Sequence, residues 1–347
     1  MRLVIRKDST KAVNVPRIIR IFLLWTGFLA IFVPQATAQR SYSKATLRNG
    51  EAAVSEEKLR QGIEFLCDTL CQGRGTGTRG GSEAAFWIAR KMERSGLVPF
   101  GGRWGHGFRV SGKAGHNIIG FFPGEDRGAN TQYIIVGAHY DNLGILGGTC
   151  YPGADSNASG VVAMLSLADM LERMKELGRT FGRSVIFVAF DAKEKNTGGS
   201  QRLCTMLNLG MLRNPVTGMP IFMKDIYAMV DLDILGSSLS PLASGRKDYI
   251  IMLSNRQFTS QLASANQNPR IGLELSYDYY GSKSFTDIFY GKIGDRKHFI
   301  DNKVRTVLFT SGITMETNKL TDSSETLDYP VLHRRVLLIY YWLCSIL

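Results

Sequence analysis

Apolar and polar residues follow two different spacings along this chain. From Glu56 to Gln72 and from Ser82 to Ser95, apolar residues recur every three or four positions, which predicts two helices. From Asn117 onward, short apolar runs alternate with amphipathic stretches. This pattern predicts strands at 116–122, 133–138, 184–190, 226–232 and 305–309, and helices at 159–171 and 330–347. Such alternation favours an α/β fold with a mostly parallel sheet covered by helices on both faces.

The first 38 residues differ from the rest of the chain. Basic residues precede an apolar run from Ile21 to Val33, which is too short to span a bilayer comfortably, and a small-x-small sequence ends at Ala38. We predict a signal peptide over 1–38, cleaved near Ala38, and a secreted or periplasmic location. An uncleaved anchor helix is the alternative. Residues 39–54 are predicted to be a polar lead-in arm, followed by a single domain over 55–347.

Charge and cysteine content argue against a nucleic-acid-binding protein and against a disulfide-framework protein. Residues 1–38 hold 6 of 42 basic and 1 of 30 acidic residues, so the remainder carries 36 and 29, a net charge of +7. This charge is dispersed, so we expect no nucleic-acid partner and no membrane contact after signal cleavage. The five cysteines are odd in number and widely spaced, which favours buried free thiols over a disulfide framework, although one disulfide remains open.

The stretch Gly75–Gly80 matches GxGxxG, a pattern found in dinucleotide-binding loops. That pattern must follow a strand, whereas here it follows a predicted helix. We therefore interpret it as a glycine-rich connection between helices and expect no nucleotide cofactor.

Three predicted strands end in residues that bind metals. His139 ends one strand, Asp191–Glu194 follows a second, and Asp233 follows a third, while Asp155 begins a predicted helix. Because functional groups in α/β sheets gather beyond the carboxyl ends of strands, these side chains predict a zinc site. Each has a simpler explanation alone: a helix N-cap for Asp155, a turn cap for Asp233 and a core histidine for His139.

Several ordered motifs resemble those of the zinc aminopeptidases of clan MH, which include glutaminyl cyclases and the transferrin-receptor ectodomain. They include VGAHYDN, PGADSNASGVVAMLSLADML, VIFVAFDAKEKNTGGS and MVDLDILG. The resemblance runs from about Leu59 to Leu343 and implies a three-layer αβα domain with a mostly parallel mixed central sheet. It also implies that His139 and Asp233 bind one zinc, that Asp155 bridges, and that Glu194 binds a second zinc.

The chain departs from that family at three positions. Lys193 stands where the family has its general base, Thr317 where it has a tyrosine that polarises the substrate carbonyl, and Asn318 where it has a histidine ligand. We therefore expect one zinc, at His139, Asp155 and Asp233, and a weakened second site. The residues that remain as replacement ligands are His298, Glu316 and Asp322.

These departures predict an exported zinc aminopeptidase-like protein with a degraded two-metal site and weak or no peptide hydrolysis. The alternatives are an active zinc exopeptidase with an unusual base, and a binding or assembly protein that uses the old cleft. The expected substrate or ligand is a peptide or protein N-terminus. Lys193 is predicted to stay an ammonium and to replace the charge of the second metal; alternatively it points to solvent.

Overall fold

The computed structural model describes residues 42–125, 127–128, 131–238, 244–254, 256–279 and 281–347. From Tyr42 onward these residues belong to one compact unit. The predicted signal peptide lies outside the described residues, and the division into arm and domain stays a prediction. In the described part of the chain, no helix is both long and apolar enough to cross a membrane.

Helices and strands alternate through most of the chain. The helices are α1 (Lys44–Glu51), α2 (Glu56–Cys67), α3 (Arg79–Arg94), α4 (Ser159–Glu176), α5 (Gly198–Asn208), α6 (Thr259–Asn266), α7 (Lys283–Lys292), α8 (Arg296–Asp301) and α9 (Tyr329–Ile346). The strands are β1 (Val98–Pro99), β2 (Gly105–Val110), β3 (Lys113–Phe122), β4 (Tyr133–His139), β5 (Gly144–Leu146), β6 (Thr149–Tyr151), β7 (Ser184–Phe190), β8 (Leu212–Arg213), β9 (Pro220–Ile221), β10 (Ile226–Leu232), β11 (Tyr249–Leu253), β12 (Glu274–Ser276) and β13 (Thr306–Thr310).

The main sheet has the strand order β1–β3–β7–β4–β10–β13–β11–β12, and β2 also pairs with β3. Its centre, β7–β4–β10–β13, is parallel, and the strands towards both edges include antiparallel pairs. The apolar runs of β4 and β7 are buried along their whole length, as strands covered on both faces must be.

Alternate residues of the central strands pack on opposite faces of the sheet. Ile134 and Val136 of β4 lie in the larger core, to which α2, α4 and α9 contribute, whereas Ile135 lies in the smaller core with α5. This arrangement of helices on both faces of a mixed sheet confirms the predicted three-layer αβα fold.

The predicted strands correspond to β3, β4, β7, β10 and β13, and the predicted helices to α2, α3, α4 and α9. The arm predicted at 39–54 contains α1, which packs against α4 and α9. The glycine-rich stretch connects α2 to α3, as predicted. All five cysteines are free, in agreement with the prediction of free thiols; Cys71 and Cys204 are buried and the other three are half-buried.

The strand order predicts a ligand-binding position at the carboxyl end of β4. The chain passes from β4 to β7 on one side and later to β10 on the other, so the loops that follow these strands diverge around it. All three strands are parallel, and the residues that follow them therefore meet at one edge of the sheet.

Candidate active site at the carboxyl ends of the central strands

His139 and Asp233 lie side by side at this edge. Gly137 of β4 pairs with Asp231 of β10, and the residues two positions further on, His139 and Asp233, are therefore neighbours. His139 Nε2 lies 3.3 Å from Asp233 Oδ1, and both side chains are buried. The structure thus brings together the two residues that were predicted to share one zinc.

The ring of His139 is held by Asp141, two residues further along the chain. Nδ1 donates to the backbone carbonyl of Asp141 at 2.9 Å, since a carbonyl can only accept. Nδ1 therefore carries a proton and Nε2 faces Asp233. A hydrogen bond of this kind is how proteins orient metal-binding histidines.

Lys193 and Glu194 complete the cluster. Lys193 Nζ donates to Glu194 Oε1 at 2.9 Å, and both side chains are mostly buried. The Asp141 carboxylate fixes the turn that carries them, because its two oxygens accept the backbone N–H groups of Lys193 and Glu194 at 2.9 and 3.0 Å. Lys193 therefore does not point to bulk solvent.

Charges within the cluster hold it in an ionised state. Burial opposes the charge of Lys193, but the carboxylates of Asp233, Glu194 and Asp141 outweigh it and raise the lysine pKa above its usual range. Burial would raise the pKa of Asp233, yet the hydrogen bond from His139 and the charge of Lys193 hold it far below its usual range. Burial likewise opposes ionisation of Glu194, and Lys193 lowers its pKa.

Asp155, predicted to bridge the metals, hydrogen-bonds to the backbone of the loop after β10, and its role as a ligand stays a prediction. Asp155 Oδ1 accepts the N–H of Gly236 at 2.7 Å, and Oδ2 accepts the N–H of Ser237 at 3.1 Å. Burial and then the neighbouring Asp322 raise the pKa of Asp155 to about 7. The carboxylate thus ties the loop after β10 to the start of α4, and both of its oxygens are already hydrogen-bonded.

The residue after Asp155 has a free side chain. Ser156 Oγ is buried and has no hydrogen-bond partner among the described residues. The next side chain, Asn157, donates to the carbonyls of Leu232 at 2.8 Å and His139 at 3.4 Å, and so links the ends of β10 and β4. Ser156 therefore lies directly before Asn157, which joins the two strands that carry His139 and Asp233. Sequence reasoning missed Ser156.

Thr317 and Asn318 make no hydrogen bond to the cluster within the described residues. Thr317 Oγ1 accepts the N–H of Thr314 at 3.0 Å in a local turn. Asn318 is exposed and has a positive φ of 61°, which asparagine tolerates better than most residues. These two positions do not supply a ligand or an oxyanion donor to the cluster.

The replacement ligands considered from the sequence are engaged elsewhere. His298 Nε2 lies 2.8 Å from Thr197 Oγ1, Glu316 pairs with Thr321, and the Asp322 carboxylate accepts the N–H groups of Asp155 and Ser156 at 2.7 and 3.1 Å. Asp322 therefore positions the turn beside the cluster rather than adding to the cluster itself.

A second aspartate at this edge, Asp191, has a structural role. Its Oδ1 accepts from the Thr76 hydroxyl at 2.9 Å, and its Oδ2 accepts the N–H of His116 at 2.9 Å. Thr76 belongs to the glycine-rich connection, so Asp191 anchors that connection to the strand ends. Gly199 lies against it, since a Cβ there would come within 2.3 Å of the Asp191 carbonyl oxygen.

The cluster fits one zinc in part and does not fit two. Two ligands about 2.0–2.1 Å from one tetrahedral zinc lie about 3.3 Å apart, which is the separation of His139 Nε2 and Asp233 Oδ1. However, Glu194 is paired with an ammonium and the Asp155 carboxylate is turned to backbone amides. Within the described ranges, no three His, Cys, Asp or Glu side chains are grouped so that they could hold a metal ion.

Comparison with known proteins agrees with this fold. The chain is 31% identical over 149 residues to the alkaline phosphatase isozyme conversion protein of Escherichia coli (strain K12), a match covering 39% of this chain and 42% of that protein. The chain thus spans less than half the length of this curated relative.

Solved structures show the same fold at low sequence identity. LapA aminopeptidase of Legionella pneumophila has a TM-score of 0.66 at 14% identity, covering 97% of this chain and 78% of that one. BSAP, a zinc aminopeptidase from Bacillus subtilis, has a TM-score of 0.62 at 14% identity, covering 84% and 95%. The glutaminyl cyclase of Macrostomum lignano has a TM-score of 0.65 at 17% identity, covering 90% and 95%.

The family model described as Peptidase family M28 matches residues 117–341. This range is more than half of the chain and contains β4, β7 and β10 with the His139–Asp233 pair and the Lys193–Glu194 turn. The predicted family is confirmed, and this chain belongs to peptidase family M28.

Proposed function

We propose that this chain is an exported M28 family member with weak or no peptide hydrolysis, which binds peptide or protein ends in the cleft where its relatives hold substrate. The observation that carries this proposal is the Lys193 ammonium, which lies 2.9 Å from Glu194 and whose charge also acts on Asp233. A positive side chain therefore occupies the part of the site where the family resemblance implies a base and a metal.

Lys193 cannot replace a general base in this setting. A base must be neutral to accept a proton from water, whereas the surrounding carboxylates raise the lysine pKa above its usual range. Loss of a general base typically slows a reaction by about 10²–10⁴-fold. Loss of an oxyanion donor, here the tyrosine replaced by Thr317, slows it by about 10²–10³-fold. Both changes point to binding without turnover.

The same lysine has a physical reason to be retained. Asp233, Glu194 and Asp141 are three carboxylates in one mostly buried cluster, and like charges there repel one another strongly. The Lys193 ammonium supplies the positive charge that a metal would otherwise contribute. On this proposal the cluster needs no metal for charge balance, and Lys193 and Glu194 are its partly exposed members that a ligand can reach.

A second candidate function is a mononuclear zinc hydrolase with low activity. It is favoured by the 3.3 Å separation of His139 Nε2 and Asp233 Oδ1 and by the Asp141 carbonyl that orients the ring. His139 and Asp233 would hold the zinc, which when bound supplies Lewis acidity and lowers the pKa of coordinated water. In this arrangement Lys193 would orient Glu194 and would offset part of the carboxylate charge.

Zinc stoichiometry and turnover, measured together, separate these two functions. Residues 40–347 contain the whole compact unit; this protein is stripped with chelator, equilibrated with zinc and counted by mass spectrometry. Hydrolysis of aminoacyl chromogenic substrates and binding of labelled peptides are measured on the same samples. His139→Ala removes the histidine ligand, Lys193→Glu restores an acid pair, and Lys193→Met is the matched neutral control.

We expect substoichiometric zinc, no chelator-sensitive hydrolysis and saturable peptide binding in the wild-type protein, with a gain of zinc in Lys193→Glu but not in Lys193→Met. One zinc per chain that disappears in His139→Ala, together with chelator-sensitive turnover, would establish the mononuclear hydrolase instead. Two zincs per chain in the wild type would overturn both candidates.

The export part of the proposal rests on the pattern of residues 1–38, with its basic start, apolar run and small-x-small end. It is tested by expressing the full chain and sequencing the N-terminus of the exported product. Gln39 as the first residue is expected. An intact N-terminus that stays with the membrane would show an anchor instead.

A further inference from the structure

A second region of interest lies away from the strand ends, where the turn before β2 faces α5 and β8. A cleft of about 370 Å³ opens there, and its polar side chains are Arg103, His106, Arg202 and Arg213, hereafter the arginine cleft. No aspartate or glutamate lines it in the described part of the chain. Three arginines therefore line one cleft without a lining carboxylate, which favours an anionic occupant. Arg103 and Arg213 are exposed, and Arg213 Nη1 also donates to the Gly218 carbonyl at 3.2 Å.

Two buried polar atoms in the arginine cleft have no hydrogen-bond partner among the described residues. They are Arg202 Nε and His106 Nε2. Burial lowers the pKa of His106, and the positive charges of Arg103 and Arg202 lower it further, so these groups are close enough to act on one another. A guanidinium N–H is a directional donor suited to phosphate and carboxylate oxygens, and the unpartnered Nε–H of Arg202 is such a donor.

The arginine cleft continues directly into an exposed apolar surface. Met211, Leu212 and Arg213 line the cleft, and the chain then forms the β8–β9 hairpin. Five large apolar side chains between residues 209 and 222, hereafter the apolar hairpin, are between 37% and 67% exposed: Leu209, Met211, Val216, Met219 and Phe222. So many exposed apolar side chains in 14 residues are unusual for a surface that contacts only water.

The apolar hairpin is ordered by its own contacts. Asn214 is buried; its Oδ1 accepts the N–H groups of Val216 and Thr217 at 2.8 and 3.1 Å, and its Nδ2 donates to Tyr133. At the other end the Phe222 ring lies against Gly210, where a Cβ would come within 2.5 Å of it. The apolar side chains are therefore held outward by a fixed backbone, and binding through them would not require the loop to fold first.

We propose that the apolar hairpin and the arginine cleft together dock this protein on an anionic phospholipid surface, with the hairpin side chains among the acyl chains and the cleft around a lipid phosphate. Charge complementarity favours this occupant: the cleft is cationic and close in size to a small headgroup, and the adjoining surface is apolar. Such pairing of basic and apolar groups is typical of peripheral membrane binding. This proposal departs from the expectation of no membrane contact after signal cleavage, which rested on the dispersed charge of the sequence.

The test measures binding of residues 40–347, which lack the predicted signal peptide, to vesicles by flotation. One set of vesicles is phosphatidylcholine alone, and the other contains about a third phosphatidylglycerol. Val216→Ser combined with Met219→Ser removes apolar surface, and Arg103→Gln combined with Arg213→Gln removes charge. Matched controls are Ile145→Ser with Leu146→Ser, which are about as exposed on the β5–β6 hairpin, and Arg48→Gln with Arg94→Gln, which lie on exposed helix surfaces.

We expect the Val216/Met219 variant to bind anionic vesicles at least tenfold more weakly than the wild type. Burial of one large apolar side chain in the bilayer contributes about tenfold or more to the affinity. The Arg103/Arg213 variant should weaken by about 25-fold on anionic vesicles, at about 1 kcal/mol per charge. Both control variants should bind like the wild type. The same protein is first sized by light scattering, with and without the Val216/Met219 change.

Three results would overturn the proposal. Equal binding by the Val216/Met219 variant and the wild type would show that the apolar hairpin does not enter the bilayer. Displacement from vesicles by millimolar inorganic phosphate, with no effect of the apolar changes, would show a site for soluble anions. A wild-type dimer that becomes monomeric in the Val216/Met219 variant would show that the surface joins two copies of this chain.

Discussion

Asp155 and Asp233 occupy comparable places in the molecule but lie in different environments. Both are buried aspartates beside the carboxyl edge of the sheet, and both are positions that the family resemblance implies as metal ligands. Asp233 faces His139 and the charge of Lys193, whereas Asp155 faces the backbone N–H groups of Gly236 and Ser237. Asp233 therefore interacts with other side chains, whereas Asp155 hydrogen-bonds mainly to backbone amides.

This difference shows that the partner of a buried carboxylate, and not its place at a strand end, decides its chemistry. Asp155 accepts hydrogen bonds from the Gly236 and Ser237 amides and from the Ser159 hydroxyl, which leaves less of its acceptor capacity for a cation. Asp233 instead faces side chains. Its distance of 3.3 Å from His139 Nε2 is the separation of two ligands of one zinc ion. The following variants break or sharpen this comparison.

The largest effect is expected at Asp155. Asp155→Ala leaves the N–H groups of Gly236 and Ser237 buried and unpaired, and the buried Arg335 loses a favourable charge. We expect a loss of about 3–5 kcal/mol in the free energy of unfolding, measured by urea denaturation. Asp233→Ala is the matched variant and should cost less, because Lys193 keeps its hydrogen bond to Glu194. A larger loss in Asp233→Ala would contradict the structural role assigned to Asp155.

A smaller effect is expected when the cation of the cluster is removed. Lys193→Met leaves Asp233, Glu194 and Asp141 without the charge that stabilises them, and should cost about 2–3 kcal/mol in zinc-free buffer. Lys193→Glu should cost more than Lys193→Met, and added zinc should restore the stability of the glutamate variant only. Thermal unfolding with and without zinc measures both. If Lys193→Met is as stable as the wild type, the lysine does not replace a metal charge.

The smallest effect is a pH dependence at Asp295, a buried aspartate. Burial and the charge of Asp231 raise its pKa to about 7, and the hydrogen bond with Ser200 opposes this shift only in part. An acid with a raised pKa binds more protons in the folded state, so the protein loses stability as the pH rises from about 4 to about 7.

Asp295→Asn removes this titrating group, so the stability of the variant should change less between about pH 4 and about pH 7. Near pH 4 the two proteins should be about equal, and near pH 8 the variant should be more stable by about 1–3 kcal/mol. Urea denaturation at several pH values measures the difference. Parallel pH profiles for the two proteins would show that Asp295 is ionised in the folded protein at neutral pH.

Much of the fold could be predicted because the central strands are apolar throughout. β4, β7 and β10 are buried over nearly their whole length, and their seven-residue apolar runs were recognised in the sequence. The five-residue strand β11 is equally buried and was missed. β2 was missed because its inward residues are only half-buried, and α6 because its eight residues form no strong apolar stripe. Packing against the core, not local preference, determines the structure of these segments.

The site could be predicted only where sheet register carries it. His139 and Asp233 follow paired parallel strands, so their proximity follows from the strands themselves. The turn at Asp155 and Ser156 is different, because the sequence does not show that the Asp155 carboxylate accepts the backbone amides of Gly236 and Ser237. Thr317 and Asn318 lie in a loop without periodicity, and there a count of residues does not fix where a side chain points.

The free cysteines of this fold also bear on how the protein is handled. Burial raises the pKa of Cys67 and Cys71 to about 11 and of Cys204 to about 12, and raises that of Cys344 further, so these thiols carry almost no thiolate near neutral pH. We therefore expect them to react slowly with thiol reagents. Cys150, half-buried on the small β5–β6 hairpin, is then the natural cysteine to test first as an attachment point for a spectroscopic label.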